Sequence, residues 1–140
     1  MSKLNSSTLS AFVDVGVSAF VLRVFTAIFM LYGHGWGKLM NVFAGEFQFA
    51  DPLGLGPTIS LILAAFAEGI CSLLILMGWY TRLAALILII NMSVAVFFFH
   101  IPNGDAFGGM ETALLYLVMF IVIFLLGPGN LSIDSKSRRM

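Results

Sequence analysis

The chain has 140 residues, of which 60% are hydrophobic and only 10% charged, and its mean hydropathy is +1.03; water-soluble domains are about 45–50% apolar, so a soluble globular protein is excluded. The 7 basic and 7 acidic residues cancel, which leaves no basic face for nucleic acid to grip. A single cysteine, Cys71, excludes an internal disulfide, a dithiol relay, a Cys-ligated iron–sulfur cluster and a thiolate zinc site.

Crossing about 30 Å of hydrocarbon takes roughly 20 residues of helix, because the bilayer offers backbone groups no water. Four stretches qualify, roughly residues 15–36, 57–77, 83–100 and 110–126. They predict an all-α integral membrane four-helix bundle. Arg23 interrupts the apolar centre of the first stretch and no small-residue cleavage site precedes Lys38, so it reads as a retained span rather than a secretory signal. A long loop, 39–56, follows; Phe43, Phe47 and Phe49 suggest that it lies along the interface. Pro57 suits the first helical position of the second span, since its missing N–H would be unbonded there. Breakers at Gly78-Trp79, Pro102-Asn103-Gly104 and Gly127-Pro128-Gly129-Asn130 separate or end the later spans. Trp36, Trp79 and Tyr80 fall at span ends, where aromatic belts are expected.

Four spans put both termini on one side, together with Lys3, Arg82, Lys136, Arg138 and Arg139, against Lys38 on the other. The positive-inside rule then predicts cytoplasmic termini. Glu46, Asp51 and Asp105 occupy the opposite side. No internal repeat supports an inverted-repeat transporter.

Ionisable residues within spans cost about 2.5–3.5 kcal/mol each at a helix centre, so they face partners or cavities. Counting inward from the predicted cytoplasmic ends, Arg23, Glu68 and Asn91 reach similar depths at 1.5 Å per residue. An Arg23–Glu68 pair with the Asn91 amide beside it is the expected inner layer. Ala64, Ala65, Gly69, Cys71 and Ser72 surround Glu68 with small side chains, a face another helix can approach. An outer layer is expected from His34, Lys38, His100 and Glu111. Arg23 and His34 lie within about 20° of one helix face and Lys38 follows a turn later, so a Lys38–Glu111 pair flanked by the histidines is predicted. Gly33, Gly35 and Gly37 would let backbones pack tightly here, and Gly33-x-x-x-Gly37 has helix-association spacing.

Each feature also has a purely structural reading. The Arg–Glu pair could fix helix register only, Lys38 and His100 could be interfacial residues that snorkel, and Cys71 is better read as a small packing residue than a reactive thiol. Nothing places His34 and His100 across a haem-sized gap, so haem is disfavoured. No metal site, catalytic residue or covalently bound cofactor is expected. The Gly33-to-Lys38 string fails as a phosphate loop, since Tyr32 and Leu39 stand where a glycine and a hydroxyl are needed. The sequon at Asn130 falls on the predicted cytoplasmic side and carries no weight.

Arg23, then Gly33-His34-Gly35-Trp36-Gly37-Lys38, Glu68-Gly69, Gly78-Trp79-Tyr80-Thr81-Arg82, Gly109-Met110-Glu111 and a closing Gly127-Pro128-Gly129-Asn130-Leu131-Ser132-Ile133-Asp134 form an ordered set that resembles the DoxX family of bacterial and archaeal membrane proteins. The resemblance covers about residues 21–134 and implies a single membrane domain over 1–140. It implies an association with quinone-linked respiratory or sulfur-linked electron transfer, because relatives include subunits of a quinol oxidase and of a thiosulfate:quinone oxidoreductase and a membrane partner of redox-defence enzymes. Other members of the wider superfamily act in membrane-protein folding or trafficking, so membership leaves the biochemistry open. The cysteine pair of some redox relatives is absent, which argues against electron transfer through this chain's own side chains. The expectation is a small subunit of an inner-membrane oxidoreductase complex, structural or quinone-binding, with Arg23 as donor and Glu68 as the proton-exchanging group. Its expected contacts are lipid, other membrane subunits and further copies of itself. Two alternatives stand: an assembly or stabilisation factor for a larger membrane protein, and a small oligomeric transporter with the Arg23-to-Lys38 stripe lining its path.

Overall fold

The computed structural model describes residues 14–137; Lys3, Arg138 and Arg139, invoked for orientation, lie outside them. Four helices are long and apolar enough to cross a membrane: α1 Val15–Ala44, α2 Pro57–Met77, α3 Thr81–His100 and α4 Phe107–Leu126. A short α5, Ile133–Ser137, follows, and there is no strand among the described residues. The boundaries depart from expectation mainly in α1, which runs on to Ala44 before Gly45 ends it in the left-handed conformation (φ +74°). The first loop is therefore only residues 45–56, and Phe43 is helical rather than part of it.

The chain is read along α1 away from the end where Asp14 caps it, here the terminal end; the opposite, loop end carries residues 45–56 and 101–106. Asp14 accepts from the Gly16 N–H, and the backbone around Gly129 approaches Gly16, so the start of α1 meets the segment after α4. The terminal end is clamped by the segment after α4. Asp134 accepts from the Tyr80 and Thr81 N–H groups, both at 2.9 Å, supplying the anionic cap that the start of α3 needs. The core is made of small and aliphatic side chains, with Ala27, Met30, Cys71, Leu88 and Phe120 fully or almost fully buried. Leucines, isoleucines and phenylalanines around the perimeter remain exposed, as lipid-facing surfaces are.

Three of the four helices contain a π turn, Leu31–Gly35 within α1, Phe66–Cys71 within α2 and Ala95–His100 as the last turn of α3. A π turn bonds i to i+5 and inserts an extra residue into the ladder, and such turns gather at functional sites. Here they carry His34, Glu68 and His100.

Candidate functional site

Side chains on a helix lean toward its N-terminus, and α1 and α2 run in opposite directions. Arg23 and Lys38 on α1 therefore reach back toward the terminal end, while Glu68 on α2 reaches toward the loop end. This geometry redistributes the expected partners. The Arg23 guanidinium, 1% exposed, does not meet Glu68. Its Nη1 donates to the carbonyls of Ile75 (2.6 Å) and Leu76 (2.7 Å), and its Nη2 to that of Leu131 (2.7 Å). It closes the C-terminal end of α2, where helix carbonyls lack intrahelical partners, and ties it to the segment after α4. Gly78 makes room for it: at φ +70°, a Cβ there would strike the guanidinium and Ser132.

Lys38 takes the place predicted for Arg23. Its Nζ lies 2.5 Å from Glu68 Oε2, while Glu68 Oε1 accepts from Asn91 Nδ2 at 2.9 Å. Asn91 thus stands beside the carboxylate, at the depth that residue counting gives. The predicted Lys38–Glu111 pair does not form: Glu111 is exposed at the start of α4 and makes no ion pair among the described residues.

A close crossing of α1 and α2 brings the pair together. A Cβ on Gly35 would collide with the Glu68 carbonyl, and one on Gly69 with Leu39; backbones can approach this closely only where side chains are missing. Lys38, one turn on from Gly35, shares that face. Gly33 and Gly37, which have the helix-association spacing, point into open space and take no part in packing within this chain.

The pair forms the floor of a cavity of about 700 Å³ between the helices, with Asn91, His34 and Tyr116 on its walls. That volume falls within the range of about 300–1,000 Å³ typical of small-molecule sites. The rest of the lining is largely apolar, and the loop contributes Phe49, Leu53 and Leu55 above. Phe49 lies 5.8 Å over Lys38 Nζ, so an aromatic ring expected at the interface instead covers the site. Asp51 anchors that loop, accepting from the Leu55 and Gly56 N–H groups and the Ser60 hydroxyl at 2.8–2.9 Å. The Ser60 hydroxyl, followed by the amides of Gly56, Leu55 and Gly54, holds the Asp51 carboxyl below the usual carboxylate range.

His34 packs edge-on against Tyr116, centroids 5.5 Å apart, and Tyr116 stacks on Phe120. His100 also lines the cavity; its Nδ1 pairs with Asp105 Oδ2 at 2.7 Å. Tyr116 and Asp105 are absent from the sequence-based site. A signal for Tyr116 was present, since apart from Thr112 near its start it is the one hydrogen-bonding side chain between Met110 and Leu126 beyond Glu111. Asp105 could be associated with His100 only once the turn between them was known. Among the described residues, no three His, Cys, Asp or Glu side chains are grouped to hold a metal ion.

The sequence model of the DoxX family matches residues 18–101, a stretch containing Arg23, His34, Lys38, Glu68, Asn91 and His100. Two uncharacterised proteins of Haemophilus influenzae are each 32% identical to the chain. One aligns over 124 residues, 82% of this chain and 87% of its own length, and the other over 131 residues, 89% and 86% respectively. No solved structure matches the chain. With its four lipid-facing helices and this match, the chain is a multi-pass membrane protein that belongs to the DoxX family.

Proposed function

We propose that the protein is the quinone-binding membrane subunit of a quinone-linked oxidoreductase complex in a bacterial inner membrane, with the end bearing Arg82 and Lys136 in the cytoplasm. The observation that carries this reading is a hydrogen-bonded Lys38–Glu68–Asn91 cluster at the floor of a largely apolar cavity within the spans. A quinone headgroup presents two carbonyl oxygens that need donors, and its chemistry exchanges protons. Lys38 Nζ and Asn91 Nδ2 are the donors available, and the Glu68 carboxylate is the group that accepts or returns a proton. His34 and Tyr116 give an adjacent wall of rings against which a flat headgroup packs. Electron transfer is left to other subunits, consistent with a lone, buried Cys71.

The oligomeric-transporter reading fits less well. Ala27, Leu88 and Phe120, all without exposed surface, fill the bundle on the terminal side of the floor, and Arg23 is held by backbone carbonyls rather than lining a path.

The test is native mass spectrometry of the protein released from its own membranes, paired with Glu68→Gln. The reading expects co-release with oxidoreductase subunits and a quinone-mass adduct, with the adduct reduced at least ten-fold in Glu68→Gln while the complex persists. A complex without a quinone adduct, or an adduct indifferent to Glu68→Gln, overturns it.

A further inference from the structure

The cavity is bounded differently on its different sides. Toward the terminal end it is closed by the core. Above, Phe49, Leu53 and Leu55 from the loop line it, and Asp51 holds that loop by three hydrogen bonds. Between α2 and α3 it is not closed in the same way. The part of α2 nearest the loops packs on α1, whereas the corresponding part of α3 packs on α4, so the two helices part beyond the Glu68–Asn91 hydrogen bond. Leu63 and Phe66 of α2 and Ile90 of α3 line the cavity while remaining 52%, 46% and 57% exposed on the perimeter. They mark an apolar mouth at the depth of the hydrocarbon.

The charges inside limit what can enter. Glu68 neutralises Lys38, so the floor offers hydrogen-bond donors and acceptors but no net charge to pair with a phosphate, sulfonate or ammonium headgroup, and an unpaired ion in such surroundings is strongly disfavoured. From these two observations we infer that the ligand enters sideways from the bilayer, between α2 and α3, as a lipid-soluble molecule whose uncharged hydrogen-bonding headgroup reaches Lys38, Glu68 and Asn91 and whose apolar tail stays in the gap lined by Leu63, Phe66 and Ile90. This rests on the reading of the cavity as the ligand site, and it adds the route and the charge class.

Ala64 lines the cavity and is only 6% exposed, so a thiol at this position reports entry. Ala64→Cys is made in a Cys71→Ala background, reconstituted in lipid nanodiscs, and treated with benzyl methanethiosulfonate or with its trimethylammonium-ethyl counterpart. Each rate is normalised to that of Gln48→Cys in the exposed loop. The expected result is at least ten-fold faster normalised labelling by the apolar reagent. Leu63→Trp and Ile90→Trp should slow it several-fold, and Leu63→Ala and Ile90→Ala should accelerate it, so a variant that merely folds poorly cannot imitate the pattern. Equal normalised rates for the two reagents indicate an aqueous entrance and overturn the proposal. So does labelling by neither, or apolar labelling that ignores both sets of mouth variants. No quinone is used, so failure of quinone binding with labelling intact removes the quinone reading and leaves the route standing.

Discussion

Arg23→Met separates the buried Arg23 from the half-buried Lys38 of α1 by what each does. The guanidinium donates to three carbonyls, of which Ile75 O also accepts from the Gly78 N–H at 3.0 Å. The substitution therefore strips the carbonyls of Leu76 and Leu131 of their donors among the described residues. A buried polar group left without its partner costs about 1–3 kcal/mol; both carbonyls are only part-buried, so the low end of that range applies, roughly 2 kcal/mol for two. Methionine restores most of the apolar stem, and removing a buried cation recovers part of its desolvation cost. A net loss of about 1–2 kcal/mol is expected, measured by reversible unfolding in mixed detergent–SDS micelles. Arg23→Lys should recover only part of it, because one ammonium lacks the planar fork that reaches three acceptors. Quinone binding per folded molecule should be unchanged, since Arg23 touches neither Glu68 nor the cavity lining. Parental stability of Arg23→Met, or loss of quinone binding in a variant of full stability, would refute the assignment of Arg23 as an end clamp.

Three further outcomes follow from the same contacts. Lys38→Met and Glu68→Gln each leave a buried partner behind, whereas the double variant leaves neither, so a double-mutant cycle in the same unfolding assay should give a favourable coupling of about 1–3 kcal/mol; additive losses would mean that the pair is not intact in the membrane. Gly35→Ala should destabilise by about 1–3 kcal/mol, since its Cβ meets the backbone of α2, while Gly33→Ala and Gly37→Ala, facing open space, should each change stability by less than about 1 kcal/mol. The Asp51 carboxyl is held below its ordinary value of about 3.9 in the folded loop. Its contribution is therefore fully present above that unfolded value and is lost as pH falls through the lower folded one. Protection factors of the Leu55 and Gly56 amides, corrected for intrinsic exchange, should fall in that acid window, and Asp51→Asn should abolish that fall.

Composition and hydropathy sufficed for the four spans, and Pro57, Gly78 and Gly127 marked real ends because each chemistry there is local. The end of α1 was harder. Trp36 looks like a belt residue, but the eight residues after it still form a helix, held by packing of Trp36–Ala44 on α2. Depth was legible too: residue counting put Glu68 and Asn91 together. Pairing was not, because counting along ideal helices ignores the lean of side chains toward the N-terminus, which sends Arg23 and Glu68 apart and Lys38 and Glu68 together. The π turns add to this. Leu31–Gly35 lies between Arg23 and Lys38, so the single stripe expected at 100° per residue does not continue through it. Sequence carries little sign of a π turn, since the extra residue is accommodated by tertiary contacts.

The two cations of α1 also show why the polar residues do not form one conducting stripe. Arg23 meets backbone carbonyls that belong to the end of α2 and to the segment after α4, and these groups cannot move without opening the bundle. Lys38 meets a titratable side chain at the floor of a cavity. Between them Thr26, Ala27, Met30 and Ser72 are all buried, so packed side chains separate the two. The Gly35 crossing makes the difference possible: it brings α2 near enough for Lys38 to be neutralised by Glu68 at the cavity floor, so the polar floor holds no unpaired charge. The same packing that closes the terminal half of the bundle thus leaves the loop half with a neutral hydrogen-bonding floor, suited to an uncharged ligand arriving from the lipid.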